Sequence, residues 1–147
     1  MYWFSGLYKE MCEKAERLQK EWIFHQSDYY CKRGDREDGF EEFLTDKEIS
    51  EMSEKEKENS KSNRIWLPKE YQIRNRLFLI GTQLQNTWRL NEYYEKFLKD
   101  NDKMREIEDW FKGKVGNISD VKALIFYMEG YDMVWLNDKK EWVEIKK

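Results

Sequence analysis

The chain has 147 residues, of which 39% are hydrophobic and 39% charged, and its formal net charge is −3. Aromatic residues reach 16% and include seven tryptophans, so the composition predicts a folded protein and excludes a wholly disordered one. The near-neutral charge argues against a general nucleic-acid-binding protein, because such proteins carry a net basic charge.

The charge is concentrated in one stretch. Residues 35–58 contain eleven acidic and four basic residues, a net charge of −7, so the rest of the chain is slightly basic. A chain of this length fits one domain with one core. We therefore expect a single domain over residues 1–147, with a mobile acidic segment and linker at about 34–63.

Metal and cofactor sites are not expected. Cys12, Cys31 and His25 are the only cysteines and histidine, and they lack the short spacings of a zinc site. No apolar run approaches the ~20 residues that span a bilayer, and the N-terminus lacks the basic start and apolar core of a signal peptide. The sequence therefore predicts a cytoplasmic protein with no cofactor.

The N-terminal region begins with an amphipathic pattern. Apolar residues recur at intervals of three and four from Leu7 to Trp22, with glutamate and lysine between them. This spacing predicts one helix over about residues 6–22, with Ser5 as its N-cap.

The only proline of the chain marks a corner. Pro68 has a fixed φ and no N–H, and it favours an extended conformation at Leu67. The sequence therefore predicts a strand at 65–67 that leads into a helix with proline in its first turn. The aromatic run 28–32 is typical of a strand that pairs with 65–67.

The acidic stretch contains a helix start. Thr45 and Glu48 match a capping box. Leu44 and Ile49, on either side of Thr45, match a hydrophobic staple, so a helix should begin directly after Thr45. The sequence then becomes wholly polar, and we expect a solvated helix end followed by a linker at 59–63.

Two interpretations fit the region after the corner. Apolar residues keep helical phase over 73–98, but Gly81 interrupts them and Thr82 starts a second capping box. One bent helix or two helices would fit, and we favour a break near Gly81. A further short helix, capped by Asn101 or Asp102, follows.

The C-terminal region predicts a helix and a hairpin. Ser119 is the expected N-cap of a helix that ends at Gly130. Two strand-like runs then flank the four-residue turn 137–140, which places Trp135 opposite Trp142.

Together these elements predict an α+β fold. It is a mainly helical single domain with a short strand pair in its N-terminal half and a C-terminal antiparallel β-hairpin. Large aromatic rings should form much of the core, because the apolar fraction is otherwise low. The expected core tryptophans are Trp22, Trp66, Trp88, Trp110 and Trp135.

The sequence does not predict an enzyme. Catalysis needs an acid, a base or a nucleophile that converge in a pocket. His25 lies beside a predicted strand, no serine occupies a nucleophile elbow, and no glycine-rich loop precedes a helix. Glu41 and Glu42 are neighbours in sequence, so their side chains point apart.

Three short blocks stand out along the chain: the string from Tyr8 to Glu16, the corner from Ile65 to Lys69, and the ending from Gly130 to Val143. Together they resemble a family of small uncharacterised proteins encoded by phages and prophages of Gram-positive bacteria. The resemblance implies a phage origin and brings no established activity.

The resemblance also implies a class of function. Small phage proteins outside the virion and replication genes often bind host factors, including restriction and CRISPR nucleases. We therefore expect a phage accessory protein in the host cytoplasm that binds and modulates a host macromolecule. A narrower hypothesis is an anti-CRISPR-like protein that inhibits a host defence nuclease. Its partner would be a host protein, such as a nucleic-acid-handling complex, and not a membrane.

The acidic segment is the expected partner-binding surface. Clustered carboxylates suit a basic nucleic-acid groove, because they gain the same counterion release as phosphates. The alternative is that these charges only solvate a surface helix. The expected binding residues are Asp35, Glu37, Asp38, Glu41, Glu42, Glu48 and Glu51.

A second hypothesis is a nucleic-acid-binding module over residues 64–89. Basic residues there are interspersed with Trp66, Tyr71 and Trp88, a mixture that binds single strands by charge and stacking. A solvated face is the competing interpretation. The basic residues are Arg64, Lys69, Arg74, Arg76 and Arg89.

Overall fold

A computed structural model describes residues 4–33, 42–76, 92–101 and 116–145. Within these ranges, the fold combines helices with two small antiparallel sheets, and the predicted α+β class is confirmed. No helix in them combines the length and the apolar character needed to cross a bilayer. The predicted break near Gly81 lies outside the described residues.

The N-terminal pattern forms two helices instead of the single one predicted. Helix α1 spans Phe4–Lys14 and α2 spans Glu16–Lys20. Ala15, between them, has a ψ of 74°, which is not helical. Ser5 lies inside α1, so its prediction as an N-cap is wrong.

A three-stranded antiparallel sheet follows. Strand β1 (Tyr29–Lys32) is central, between β2 (Glu42–Phe43) and β3 (Arg64–Trp66). The predicted pairing of the first strand with the corner strand is confirmed, with Cys31 opposite Ile65. The short strand β2 has no counterpart in the predicted elements.

Gln19 links the helix break to this sheet. Its Nε2 donates to the carbonyls of Cys12, at 3.0 Å, and Trp66, at 3.1 Å. Its Oε1 accepts from the Trp66 N–H at 2.7 Å. One side-chain amide therefore satisfies a carbonyl at the break and pairs with the edge of β3 as a neighbouring strand would.

Two short helices connect β2 to β3. Helix α3 spans Asp46–Glu51 and α4 spans Glu54–Asn63. The predicted helix start with Thr45 as N-cap is confirmed, because Thr45 Oγ1 accepts from the Glu48 N–H at 3.2 Å.

The linker expected at residues 59–63 is wrong, because α4 is capped at its start and extends through these residues. Ser53 Oγ accepts from the Glu56 N–H at 3.2 Å, which repeats the capping pattern of α3. The polar run 59–63 is the second half of α4 rather than a linker. A capped start and the absence of glycine and proline allow the helix to continue to Asn63.

The proline corner joins β3 to α5, which spans Glu70–Arg76. Pro68 lies two residues before α5 and not in its first turn, because the carbonyl of Lys69 accepts the first helical bond from Ile73. The next described helix, α6, covers residues 92–100.

Helix α7 spans Ile118–Glu129. Its N-cap is Asn117, whose side chain accepts from the Asp120 N–H at 3.0 Å, so the predicted cap at Ser119 is wrong. Gly116, at a φ of 85°, turns the chain directly before Asn117 and sets where the helix begins.

The predicted C-terminal hairpin is confirmed. Strands β4 (Met133–Leu136) and β5 (Glu141–Glu144) place Trp135 opposite Trp142, with ring centroids 5.3 Å apart. Trp142 Nε1 donates to the Met11 carbonyl at 2.9 Å. This bond docks the hairpin on α1, and a two-stranded hairpin needs such support.

One hydrophobic cluster joins α1, α2, α7 and residues of both sheets. Trp22 and Trp66 stack within it, with centroids 5.9 Å apart. Trp135 is also buried, so these three predicted core tryptophans are confirmed. Trp88 and Trp110 lie outside the described residues.

Candidate functional site

The candidate site is the polar surface formed by α3 and α4. Neither helix contains a buried residue. Ile49 and Met52 are half-buried and pack α3 against the core, whereas α4 has the wholly polar sequence EKEKENSKSN. Because a helix that is polar all round has no apolar face to hold it, α4 depends on its cap, its ion pairs and a few polar contacts.

Local ion pairs support α4 along its length. Lys57 lies 3.4 Å from Glu54, and Lys61 lies 4.0 Å from Glu58. Exposed helical pairs of this kind contribute only about 0.2–0.5 kcal/mol each. The helix is therefore weakly supported by its own side chains.

Three polar contacts connect α4 to its surroundings. Lys61 Nζ donates to the Lys20 carbonyl at 3.5 Å. The Asn63 carbonyl accepts from the Arg33 N–H at 3.0 Å, which fixes the C-terminal end of the helix to the end of β1. The guanidinium of Arg64 donates to Ser60 Oγ.

An open groove of about 580 Å³ lies between α2 and α4. Its cations and carboxylates are equal in number, and two ion pairs form in its walls: Arg33 with Glu13, at 3.8 Å, and Lys61 with Glu58. The groove therefore offers hydrogen bonds and ion pairs rather than apolar burial. The lining residues are Glu13, Glu16, Gln19, Lys20, Arg33, Glu58, Lys61 and Ser62.

Three of the predicted acidic binding residues lie within the described ranges. Glu42 lies in β2, and Glu51 is exposed at the end of α3. Glu48 accepts from Thr45 Oγ1 at 3.1 Å and lies 3.9 Å from Arg64, so it also serves the local structure. Outside the described residues lie Asp35, Glu37, Asp38 and Glu41.

Helix α4 adds exposed carboxylates that the predicted binding residues did not include. The side chains of Glu54 and Glu58 are 93% and 76% exposed, and Glu56 accepts from Ser53 Oγ. The Ser53 to Glu56 spacing is the sequence signal that would have identified a helix here. We call the exposed set the acidic surface, consisting of Glu51, Glu54, Glu56 and Glu58.

The predicted basic face is divided by the fold. Arg76 lies 2.8 Å from the carboxylate of Asp28 and 5.8 Å from the centre of the Trp66 ring. Trp66 is only 1% exposed, so it has no free face on which a nucleic-acid base could stack.

The other residues of the predicted basic face differ in their exposure and in their partners. Arg64 lies over the ring of Tyr30 at 4.7 Å and faces α3 and α4. Arg74 and Tyr71 are exposed, and Arg74 pairs with Glu70 at 2.8 Å. Lys69 is half-buried at the start of α5, whereas Arg89 and Trp88 are not among the described residues.

A fully buried carboxylate lies behind Arg76. Asp28 accepts from Trp22 Nε1, the His25 N–H and Gln72 Nε2, each at 2.9 Å. Arg76 adds two contacts, at 2.8 and 3.0 Å. Five donors occupy both oxygens, so this carboxylate ties the connection between α2 and β1 to α5 and is not open to a ligand.

Three other titratable groups are buried near α1. Burial raises the pKa of the Tyr8 phenol and of the Cys12 thiol. Burial also raises the pKa of Asp120, although it accepts from the Glu70 N–H at 2.7 Å and the Gly116 N–H at 2.8 Å. A raised thiol pKa keeps Cys12 protonated at neutral pH, which is the opposite of an activated nucleophile.

No group of three or more metal-binding side chains occurs within the described ranges. The exposed His25 has its Nδ1 at 2.7 Å from the Ile23 carbonyl. Among the residues described, the arrangement that stands out is thus a charged surface with a groove beside it.

Comparison of the chain with family models, with curated proteins and with solved structures finds no match. The resemblance to phage proteins therefore stays a prediction. The functional argument depends on the surface itself.

Proposed function

We propose that this protein is a binding protein and not an enzyme, and that its acidic surface contacts a host macromolecule. The observation that carries the proposal is α4, a capped helix of ten residues that buries no side chain. The carboxylates of Glu54 and Glu58 extend into solvent. Because α4 adds nothing to the core, its exposed carboxylates are available for a contact with another molecule.

The chemistry of the surface favours a protein partner with a basic face. Residues 46–58 contain six acids and three bases, and residues 35–41 contain four acids and one base, so each stretch has a net charge of −3. Clustered carboxylates attract a basic surface over several ångströms and speed its association. Nucleic-acid-handling proteins carry such faces.

In its narrower form, the proposal is a phage accessory protein that inhibits a host defence nuclease. The resemblance to phage proteins supplies this form, and the acidic surface is compatible with it. The nuclease would offer its nucleic-acid groove, where carboxylates would replace phosphates at the basic side chains.

Affinity capture with a charge-neutral variant tests the proposal. The variant carries Glu51→Gln, Glu54→Gln and Glu58→Gln and would be compared with the wild type in lysate of a Gram-positive bacterium. A matched control changes three exposed acids elsewhere, Glu92→Gln, Glu95→Gln and Asp138→Asn, with the same change in net charge.

We expect the wild type and the control to recover a common partner and the acidic-surface variant to recover about tenfold less, since three lost surface contacts of ~0.5 kcal/mol each would give such a loss. Added duplex DNA should displace a nucleic-acid-handling partner. Equal recovery by all three proteins would show that the acidic surface is only a solvated face.

A second function is favoured by one observation on α5. Tyr71 is 56% exposed, and the exposed Arg74 lies on the same helix. A ring and a cation can hold a single strand by stacking and charge. Fluorescence anisotropy with a labelled single-stranded oligonucleotide at low salt, with Tyr71→Ala as the control, tests it, and an absence of binding would exclude it.

A further inference from the structure

We propose that α4 is a strap that unwinds locally while the rest of the fold stays intact. The proposal goes beyond partner binding, because it concerns a motion of the free protein that reshapes the open groove between α2 and α4. It applies to the free protein and can be tested without a partner.

Both ends of the strap are anchored. Met52, just before α4, is half-buried and packed against the core. At the other end, the Asn63 carbonyl accepts from the Arg33 N–H at 3.0 Å. Between these anchors no residue of α4 is buried, so the helix can unwind without exposing core side chains.

The contacts that hold the strap closed are polar. Lys61 reaches the Lys20 carbonyl at 3.5 Å, and Ser60 accepts from Arg64. Water replaces such contacts when they break, so each adds little to the closed state. An isolated helix of about ten residues is itself marginal in water.

Helix α7 shows the contrast within the same chain. Eight of its residues are buried, so its opening exposes core side chains and requires most of the fold to unfold. Local opening free energies follow buried contacts, and segments without them open first. The amides of α4 should therefore exchange through an opening that α7 does not share.

Opening of the strap changes the groove. Glu58, Lys61 and Ser62 form the wall that α4 contributes. When α4 unwinds, this wall moves away and the groove, which is already open at Arg33 and Glu13, becomes wider. Because both ends stay attached, the strap closes again on the microsecond timescale of helix formation.

Hydrogen exchange measured by NMR tests the strap. Amides 57–63 should show protection lower than the buried amides of α7 by on the order of 100-fold. Ser53→Ala removes the N-cap and should raise exchange in α4 about fivefold while leaving α7 unchanged. Ser53→Asp keeps a capping oxygen and should preserve the wild-type rates.

The proposal is overturned if amides 57–63 are as protected as those of α7, or if Ser53→Ala accelerates both helices equally. Either result would show that α4 unfolds together with the core. Neither result depends on a partner, so failure here is distinguishable from failure of the affinity capture.

Discussion

Replacement of Arg76 by methionine tests the buried ion pair with Asp28. Asp28 is fully buried, and the Arg76 side chain is 24% exposed, so the pair lies largely out of water. Removal of one partner of a buried pair typically costs 3–5 kcal/mol, because it leaves an uncompensated charge. Three other donors at 2.9 Å still stabilise the carboxylate, and we expect a loss of about 3 kcal/mol, the lower end of that range.

Arg74→Met is the matched control. Arg74 lies on the same helix and forms its own ion pair with Glu70 at 2.8 Å, but its side chain is 66% exposed. An exposed pair contributes about 0.5 kcal/mol or less, since water and salt screen it. The two variants therefore make the same chemical change in two environments.

Urea unfolding followed by tryptophan fluorescence gives the free energy of unfolding of each variant. The loss in Arg76→Met should persist at high salt, whereas the small loss in Arg74→Met should shrink. If both variants lose the same free energy within about 0.5 kcal/mol, the reasoning that burial separates the two arginines is wrong.

Three further predictions concern the core. Trp66→Ala should lower the free energy of unfolding by about 3–5 kcal/mol, because it empties a fully buried site. A loss below ~1 kcal/mol, measured by urea unfolding, would contradict the central place of Trp66 in the core. Trp142→Phe keeps a ring but removes the hydrogen bond to the Met11 carbonyl, so thermal unfolding should report a loss of about 1 kcal/mol, and an unchanged midpoint would contradict that bond. Burial raises the pKa of Cys12, so the folded protein keeps this proton to higher pH than the unfolded chain. Stability should be complete below the ordinary thiol pKa of about 8.5 and fall by about 1.4 kcal/mol per pH unit above it. Cys12→Ala should make that decline shallower, and an identical slope would refute the prediction.

Elements whose signals lie within a few residues could be predicted from the sequence. The N-cap at Thr45 and the tryptophan pair of the hairpin are predicted correctly. In each case the chemistry that forms the element is local: a side chain caps a nearby N–H, or a short turn sets the register. The overlooked cap at Ser53 was equally local.

The candidate site was predicted in part. The excess of acidic residues indicated a charged surface, and Glu51 is exposed as that prediction requires. Charge alone could not separate Glu48, which accepts from the Thr45 hydroxyl and pairs with Arg64, from Glu54, which is exposed. That difference arises because Arg64, at the start of β3, faces α3.

Long-range contacts decided the features of the fold that the sequence did not predict. Helix α1 ends at Lys14, and after the break at Ala15 the side chain of Gln19 pairs with the Trp66 backbone, 47 residues further along the chain. Arg76 is half-buried because its guanidinium pairs with the fully buried carboxylate of Asp28, 48 residues earlier. In both cases a polar group removed from water had to find a partner, and the partner lies near only after the chain has folded.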